Sequence, residues 1–248
     1  MPRPPGDQAT RLGLPAGRSC RGRRARRGEG RSGGSPGPHR PGDASVSHDT
    51  RITIPGWSVG RLTGSPTRPA GGGWVVKCGG SLLALPDWPE RLRGVCGSLS
   101  DEPPLLVIGG GALVEGLRAI DAACPQPAER MHRLAIAAMR LTARLVAEVL
   151  ELSLAGPDTP RGSNAAVADP TAWSDADTVA GLPRDWTTTS DSIAAGIAAA
   201  AGGRLLLLKR SLPPGDGSAK QAAAAGWVDP AFVEASKTIA TWWASPLG

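Results

Sequence analysis

Trp74-Val75-Val76-Lys77-Cys78-Gly79-Gly80-Ser81 is the stretch on which the fold turns. Three apolar residues in a row, two of them β-branched, predict a short strand without polar alternation, the pattern of a strand buried on both faces. The run stops at a lysine and then at two glycines and a serine, the residues of a tight turn. The same order returns at Leu105-Leu106-Val107-Ile108, closed by Gly109-Gly110-Gly111. Helical signals fill the intervals. Asp87 is placed to cap a helix running to Leu99, with Pro89 tolerated in its first turn, and residues 112–123 follow the second glycine turn.

Further along, residues 131–152 carry the strongest helical period. Leu134, Ala138, Leu141, Leu145, Val149 and Leu152 share one stripe, in an amphipathic helix the side that packs on a core. Residues 165–168 read as another strand. Ser190 is a plausible N-cap for a helix over residues 191–201, ended by Gly202-Gly203, and Leu205-Leu206-Leu207-Leu208 is a further buried strand ending in Lys209. Strands alternating with helices predict an α/β fold, a three-layer αβα sandwich around a mainly parallel central sheet.

The charge is not spread evenly over the 248 residues. Thirteen arginines, no lysine and four acids give residues 1–70 a charge of +9 within a net of +6, leaving −3 for residues 71–248. The first segment is rich in Pro, Gly, Ser and Arg and lacks apolar periodicity, so it is expected to be a disordered basic leader, with the folded domain over residues 71–248. A chain beginning near Gly71 is therefore expected to fold and keep its activity. The leader is a solvated tail or the product of a start placed too far upstream; contact with nucleic acid is confined to its arginine cluster at residues 21–27.

Cys20, Cys78, Cys96 and Cys124 have no CxxC spacing and no histidine partners, which excludes a structural zinc site and a disulfide framework. No apolar run reaches the ~18 residues that span a bilayer, and the expected location is the cytoplasm. Only four of the 28 basic residues are lysines, Lys77, Lys209, Lys220 and Lys237, so each surviving lysine stands out as a compact ammonium. Glycine turns at the carboxyl edge of a parallel sheet let backbone N–H groups approach an anion, with a helix N-terminus behind them. Residues 77–81 and 109–111 are therefore two candidate phosphate cradles. The P-loop pattern is absent, and so is the third glycine of the dinucleotide fingerprint.

Lys77-Cys78-Gly79-Gly80-Ser81 after a first strand resembles the opening motif of the amino acid kinase family. Val107-Ile108-Gly109-Gly110-Gly111 is similar to its second glycine turn, and Thr187-Thr188-Thr189-Ser190-Asp191-Ser192-Ile193-Ala194-Ala195 to a segment of its uridylate kinase members. The resemblance spans residues 74–232. It implies phosphoryl transfer from ATP, with Mg²⁺, to a small-molecule acceptor, without a covalent enzyme intermediate. Lys77 would hold the transferring phosphate, and Gly79, Gly80, Ser81 and Ser190 would bind phosphate or nucleotide. Gly109, Gly110 and Gly111 would take the acceptor's reacting end. Asp191 would orient the lysines and help hold Mg²⁺ through water, with no residue assigned as a direct metal ligand. Either Lys209, at a strand end, or Lys220, in the following loop, would be the second phosphate lysine, and Lys209 is the better fixed.

The tail at residues 222–232 together with the helix at 131–152 resembles a compact subgroup associated with methanofuran- and methanopterin-type cofactor synthesis. Its implied reaction converts an aminomethylfuran phosphate to the diphosphate. A homo-oligomer is compatible with the family. The alternative reading is a non-catalytic anion- or nucleotide-binding protein on the same fold.

Overall fold

Seven strands join in one sheet in the computed structural model of the chain: β1 (Trp57–Arg61), β2 (Trp74–Cys78), β3 (Leu105–Ile108), β4 (Ser153–Ala155), β5 (Ala166–Ala168), β6 (Arg204–Leu208) and β7 (Thr241–Pro246). Their order is β1-β7-β6-β2-β3-β5-β4; β1 runs antiparallel to β7 and the other pairs are parallel. The structure describes residues 52–66, 72–99, 101–174, 179 and 181–247. Helices α1 (Trp88–Ser98), α2 (Gly111–Ala123), α3 (Ala128–Leu150), α4 (Pro170–Ser174), α5 (Ser190–Ala200), α6 (Ala219–Ala224) and α7 (Phe232–Ala235) connect the strands, with a 3-10 turn at Gly80–Ala84.

Side chains alternate across a strand, so the central strands feed two cores. Val75, Val107, Leu205 and Leu207 face α5, Ala222 of α6 and Phe232 of α7. Val76, Ile108, Leu206 and Leu208 face Leu92 and Val95 of α1 and Ala143 and Val146 of α3. Burial on both faces explains the unbroken apolar runs. The expected αβα layering is what these residues build.

Two expectations change. Most of the predicted stripe of α3 does not face the sheet: Leu134 (44% exposed), Leu141 (60%) and Leu145 (50%) lie toward solvent, and Val149 is also exposed, whereas Ala138 is buried and Leu152 packs against the core. The buried face is Met131, Ile136, Ala138, Met139, Thr142, Ala143, Val146 and Ala147. Alanines at this face let the helix lie close to the strands. Because α3 is apolar around most of its circumference, period alone selects the leucines by size and not by contact.

The domain also begins earlier than residue 71. Trp57–Arg61 pairs with 242–246 of β7, and Ile54, Trp57 and Leu62 are buried. The fold reaches back at least to Ile52, whereas residues 1–51 and 67–70 of the expected leader lie outside the described residues. A five-residue edge strand set among prolines and glycines gives no usable period. Three large side chains returned to water forfeit roughly 5–9 kcal/mol, at about 1.5–3 kcal/mol each. Domain stabilities are themselves about 5–15 kcal/mol. A chain beginning at Gly71 is thus expected to unfold at much lower urea concentration than one beginning at Ile52; coincident midpoints would show that β1 contributes nothing.

Candidate active site

The carboxyl ends of β2, β3 and β6 open into a cleft of about 460 Å³, closed on one side by the N-terminus of α5. Both glycine turns meet there. A side chain on Gly80 would begin 2.2 Å from the backbone N of Gly111, so the two turns touch through bare backbone. Gly111 also adopts φ +52°, a region costly for residues with a Cβ. The first turn of each following helix leaves N–H groups without carbonyl partners inside the helix, and here two such turns converge. The Thr142 hydroxyl donates to the Gly109 carbonyl at 3.1 Å and ties the second turn to α3.

Asp191 lies at the centre. Its Oδ1 is 2.7 Å from Lys77 Nζ and its Oδ2 2.7 Å from Lys209 Nζ, with Lys77 and Asp191 each 4% exposed. Burial is the strongest influence on the Asp191 carboxyl and would raise its pKa, but the two ammonium groups together outweigh it and the pKa is lowered. For Lys209, burial comes first and the like charge of Lys77 second; together they bring it down to about 8 against the opposing pull of Asp191. The Lys209 ammonium also donates to the Trp227 carbonyl at 2.6 Å and lies over the Trp227 ring. One carboxylate between two ammoniums leaves one net positive charge facing the glycine turns, an arrangement suited to polyphosphate.

The aim of Asp191 is set from a distance. Thr189, and not Ser190 as expected, is the N-cap of α5, accepting from the Asp191 N–H; Ser190 is the first helical residue and lines the cleft. Asp229 locks this turn: its Oδ2 accepts from the Thr189 N–H (3.1 Å), the Thr189 hydroxyl (2.6 Å) and the Ser192 N–H (3.1 Å). Its Oδ1 accepts from the Phe232 N–H (2.9 Å) and the Ser192 hydroxyl. Asp229→Ala strands these buried donors and is expected to cost about 3 kcal/mol, roughly 6–12 °C in Tm. Turnover should fall with it while Asp229→Asn retains part of both. Calorimetry beside a turnover assay checks this, and an unshifted Tm would refute the locking role.

Lys77, Gly79, Gly80, Ser81, Gly109, Gly110, Gly111, Ser190 and Lys209 all line the cleft, around Asp191. Lys220 does not. It lies in α6 beside a separate hollow with Thr63, Ser218 and Lys237. Cys78 is fully buried with its thiol pushed up to about 12 by burial, an inert filler. Sequence reasoning missed the wall beyond the second glycine turn: Glu115, Arg118, His132, Met139 and Trp186. Arg118 stacks over Trp186 at 4.4 Å, and the Trp186 N–H donates to Asp121 at 2.7 Å. The only clue was the place of the first four on α2 and α3 next to that turn; Trp186 comes from the segment before α5. Burial lowers the His132 pKa, so the imidazole is neutral near pH 7.

Among the described residues no three His, Cys, Asp or Glu side chains gather as a metal site, and both Asp191 oxygens face ammonium groups.

No protein-family model matches the chain, and no curated protein matches it in sequence. Among solved structures, the UMP kinase of Ureaplasma parvum is similar at TM-score 0.50 and 12% identity, covering 71% of this chain and 99% of that one. The uridylate kinase of Archaeoglobus fulgidus gives 0.47 and 17%, covering 71% of this chain and 91% of that one. The class defined is an α/β fold with a seven-stranded, mostly parallel sheet. Its particular likeness is to the first of these structures, a UMP kinase, and at that identity the likeness is one of fold.

Proposed function

We propose that the protein is an ATP-dependent kinase that transfers the γ-phosphoryl group to an anionic small-molecule acceptor. The observation that carries this reading is the buried Asp191 carboxylate fixed between the Lys77 and Lys209 ammoniums at the meeting point of two glycine turns. Phosphoryl transfer needs positioning and neutralisation of charge on the transferred group, and little else from the protein. An acceptor oxygen forms the new bond to the γ-phosphorus as the bond to the β,γ-bridging oxygen breaks, its electron pair leaving with ADP. Lys77 and Lys209 balance the charge that spreads over the group in flight, and Asp191 keeps both ammoniums aimed. Magnesium would supply further charge neutralisation from the nucleotide side, held by phosphate oxygens and water.

A carboxylate bound by two ammoniums is a poor base. An acceptor that is already an oxyanion, a phosphate or a carboxylate, requires no base, whereas an alcohol would. Within that class an aminomethylfuran phosphate fits the missed wall. Its phosphate suits the Gly109–Gly111 turn, its flat ring suits Met139, and its ammonium suits Glu115. The test is ADP release from Mg-ATP by the full chain across phosphorylated and carboxylated metabolites, with aminomethylfuran phosphate included and matched alcohols as controls. ADP release dependent on an anionic acceptor supports the kinase. Nucleotide binding without turnover on any acceptor would favour the non-catalytic binder.

A further inference from the structure

Away from the cleft, a cavity of about 500 Å³ opens at the opposite, amino-terminal edge of the sheet. It lies between the starts of β3 and β5, the end of α5 and the loop 156–165, and none of its lining residues lines the cleft. Its walls are largely apolar. Leu105, Ala155 and Trp173 are buried, and the Trp173 indole N–H is already given to the Ala155 carbonyl at 3.0 Å, leaving only the ring's hydrocarbon face for contact.

Arg161 is the single charged residue on these walls. Its Nη1 lies 3.6 Å from where a side chain on Gly73 would begin, so the guanidinium packs against bare backbone. Among the described residues no carboxylate, carbonyl or hydroxyl meets it. Arg161 lines the cavity while remaining open to solvent, and partial burial lowers its pKa. A carboxylate or phosphate can meet a guanidinium with two parallel hydrogen bonds. Ser163 and Asn164, on the same loop, add neutral polar groups. The end of α5 contributes carbonyl rather than amide groups, which sets the anionic head on the Arg161 side.

We propose that this cavity is a second ligand site, for a small organic anion whose head pairs with Arg161 and whose apolar body, about the size of one ring, rests on Trp173 and Leu105. This site does not depend on the kinase reading, since the two share no residue.

Calorimetric titration of the full chain tests it with benzoate and phenyl phosphate as probes and benzamide as the uncharged control. At least one acid is expected to bind saturably, with benzamide at least about tenfold weaker. The better acid identifies carboxylate or phosphate as the preferred head. Arg161→Ala should weaken the acid about tenfold or more while Arg161→Lys keeps part of it; Lys77→Ala should leave it unchanged. Equal binding by Arg161→Ala, loss on Lys77→Ala with Arg161→Ala unaffected, or no saturable binding of either acid would each overturn the proposal.

Discussion

Asp191→Asn is expected to lower kcat by two to three orders of magnitude, about 3–4 kcal/mol of transition-state stabilisation. The amide keeps the size of the carboxylate and the α5 N-terminus, but removes the charge to which Lys77 and Lys209 are both held at 2.7 Å. An interaction that matters in the transition state lowers kcat and kcat/KM together. ATP affinity should stay equal or tighten, because a negative charge has left the neighbourhood of a polyanion. The pH profile should move as well. Asp191 opposes the burial that brings Lys209 down to about 8, so its loss depresses Lys209 further. On the proposed reading the protonated ammonium is the active form, and activity of the variant should therefore fall off at lower pH than in the parent. Steady-state kinetics across pH with nucleotide titration of the same samples measures both effects. Unchanged turnover would remove Asp191 from the mechanism, and no turnover in the parent with tighter nucleotide binding in the variant would be the behaviour of an anion binder.

Lys77→Ala is expected to reduce kcat at least a hundredfold, about 3 kcal/mol. It removes the ammonium that lies at the end of the central strand, between Gly79 and Asp191. Some stability should be lost too, since the buried carboxylate keeps only Lys209 as a partner; breaking a buried pair can cost about 3–5 kcal/mol. Unfolding is therefore followed beside turnover, at a temperature where the variant remains folded. Lys77→Arg should recover little, because a planar fork does not fit where two glycine turns pack backbone to backbone. Near-normal turnover in the folded alanine variant would remove Lys77 from the mechanism.

How much of this was legible in the sequence depends on the kind of contact. β2, β3 and β6 sit in the middle of the sheet with both faces buried, so their apolar runs are unbroken and were read directly. β1, β4 and β7 went unread: they are short, or mix tryptophan with small polar residues, and they take form only against non-local neighbours. The α3 period gave a helix correctly but assigned its core to the leucines, because hydrophobicity does not record how near a helix must come to a sheet. In the site, Lys77 and Asp191 stand within motifs whose residues are adjacent in sequence. The Asp229 lock and the Arg118–Trp186 wall join segments 37 and 68 residues apart or more, and nothing local marks such partners.

The pairing of β1 with β7 also governs when the molecule can be completed during synthesis. Residues 57–61 leave the ribosome among the first of the described fold, yet their strand partner, residues 242–246, is among the last to be made. Until then Trp57 has no strand beside it, and the exposed flank of β6, which β7 will cover, remains an open edge of the kind that recruits foreign strands. Translation must therefore pass β7 before the sheet can close, and a nonsense codon shortly before Thr241 would release a chain holding every residue of the cleft described above, with an unprotected strand immediately beside it.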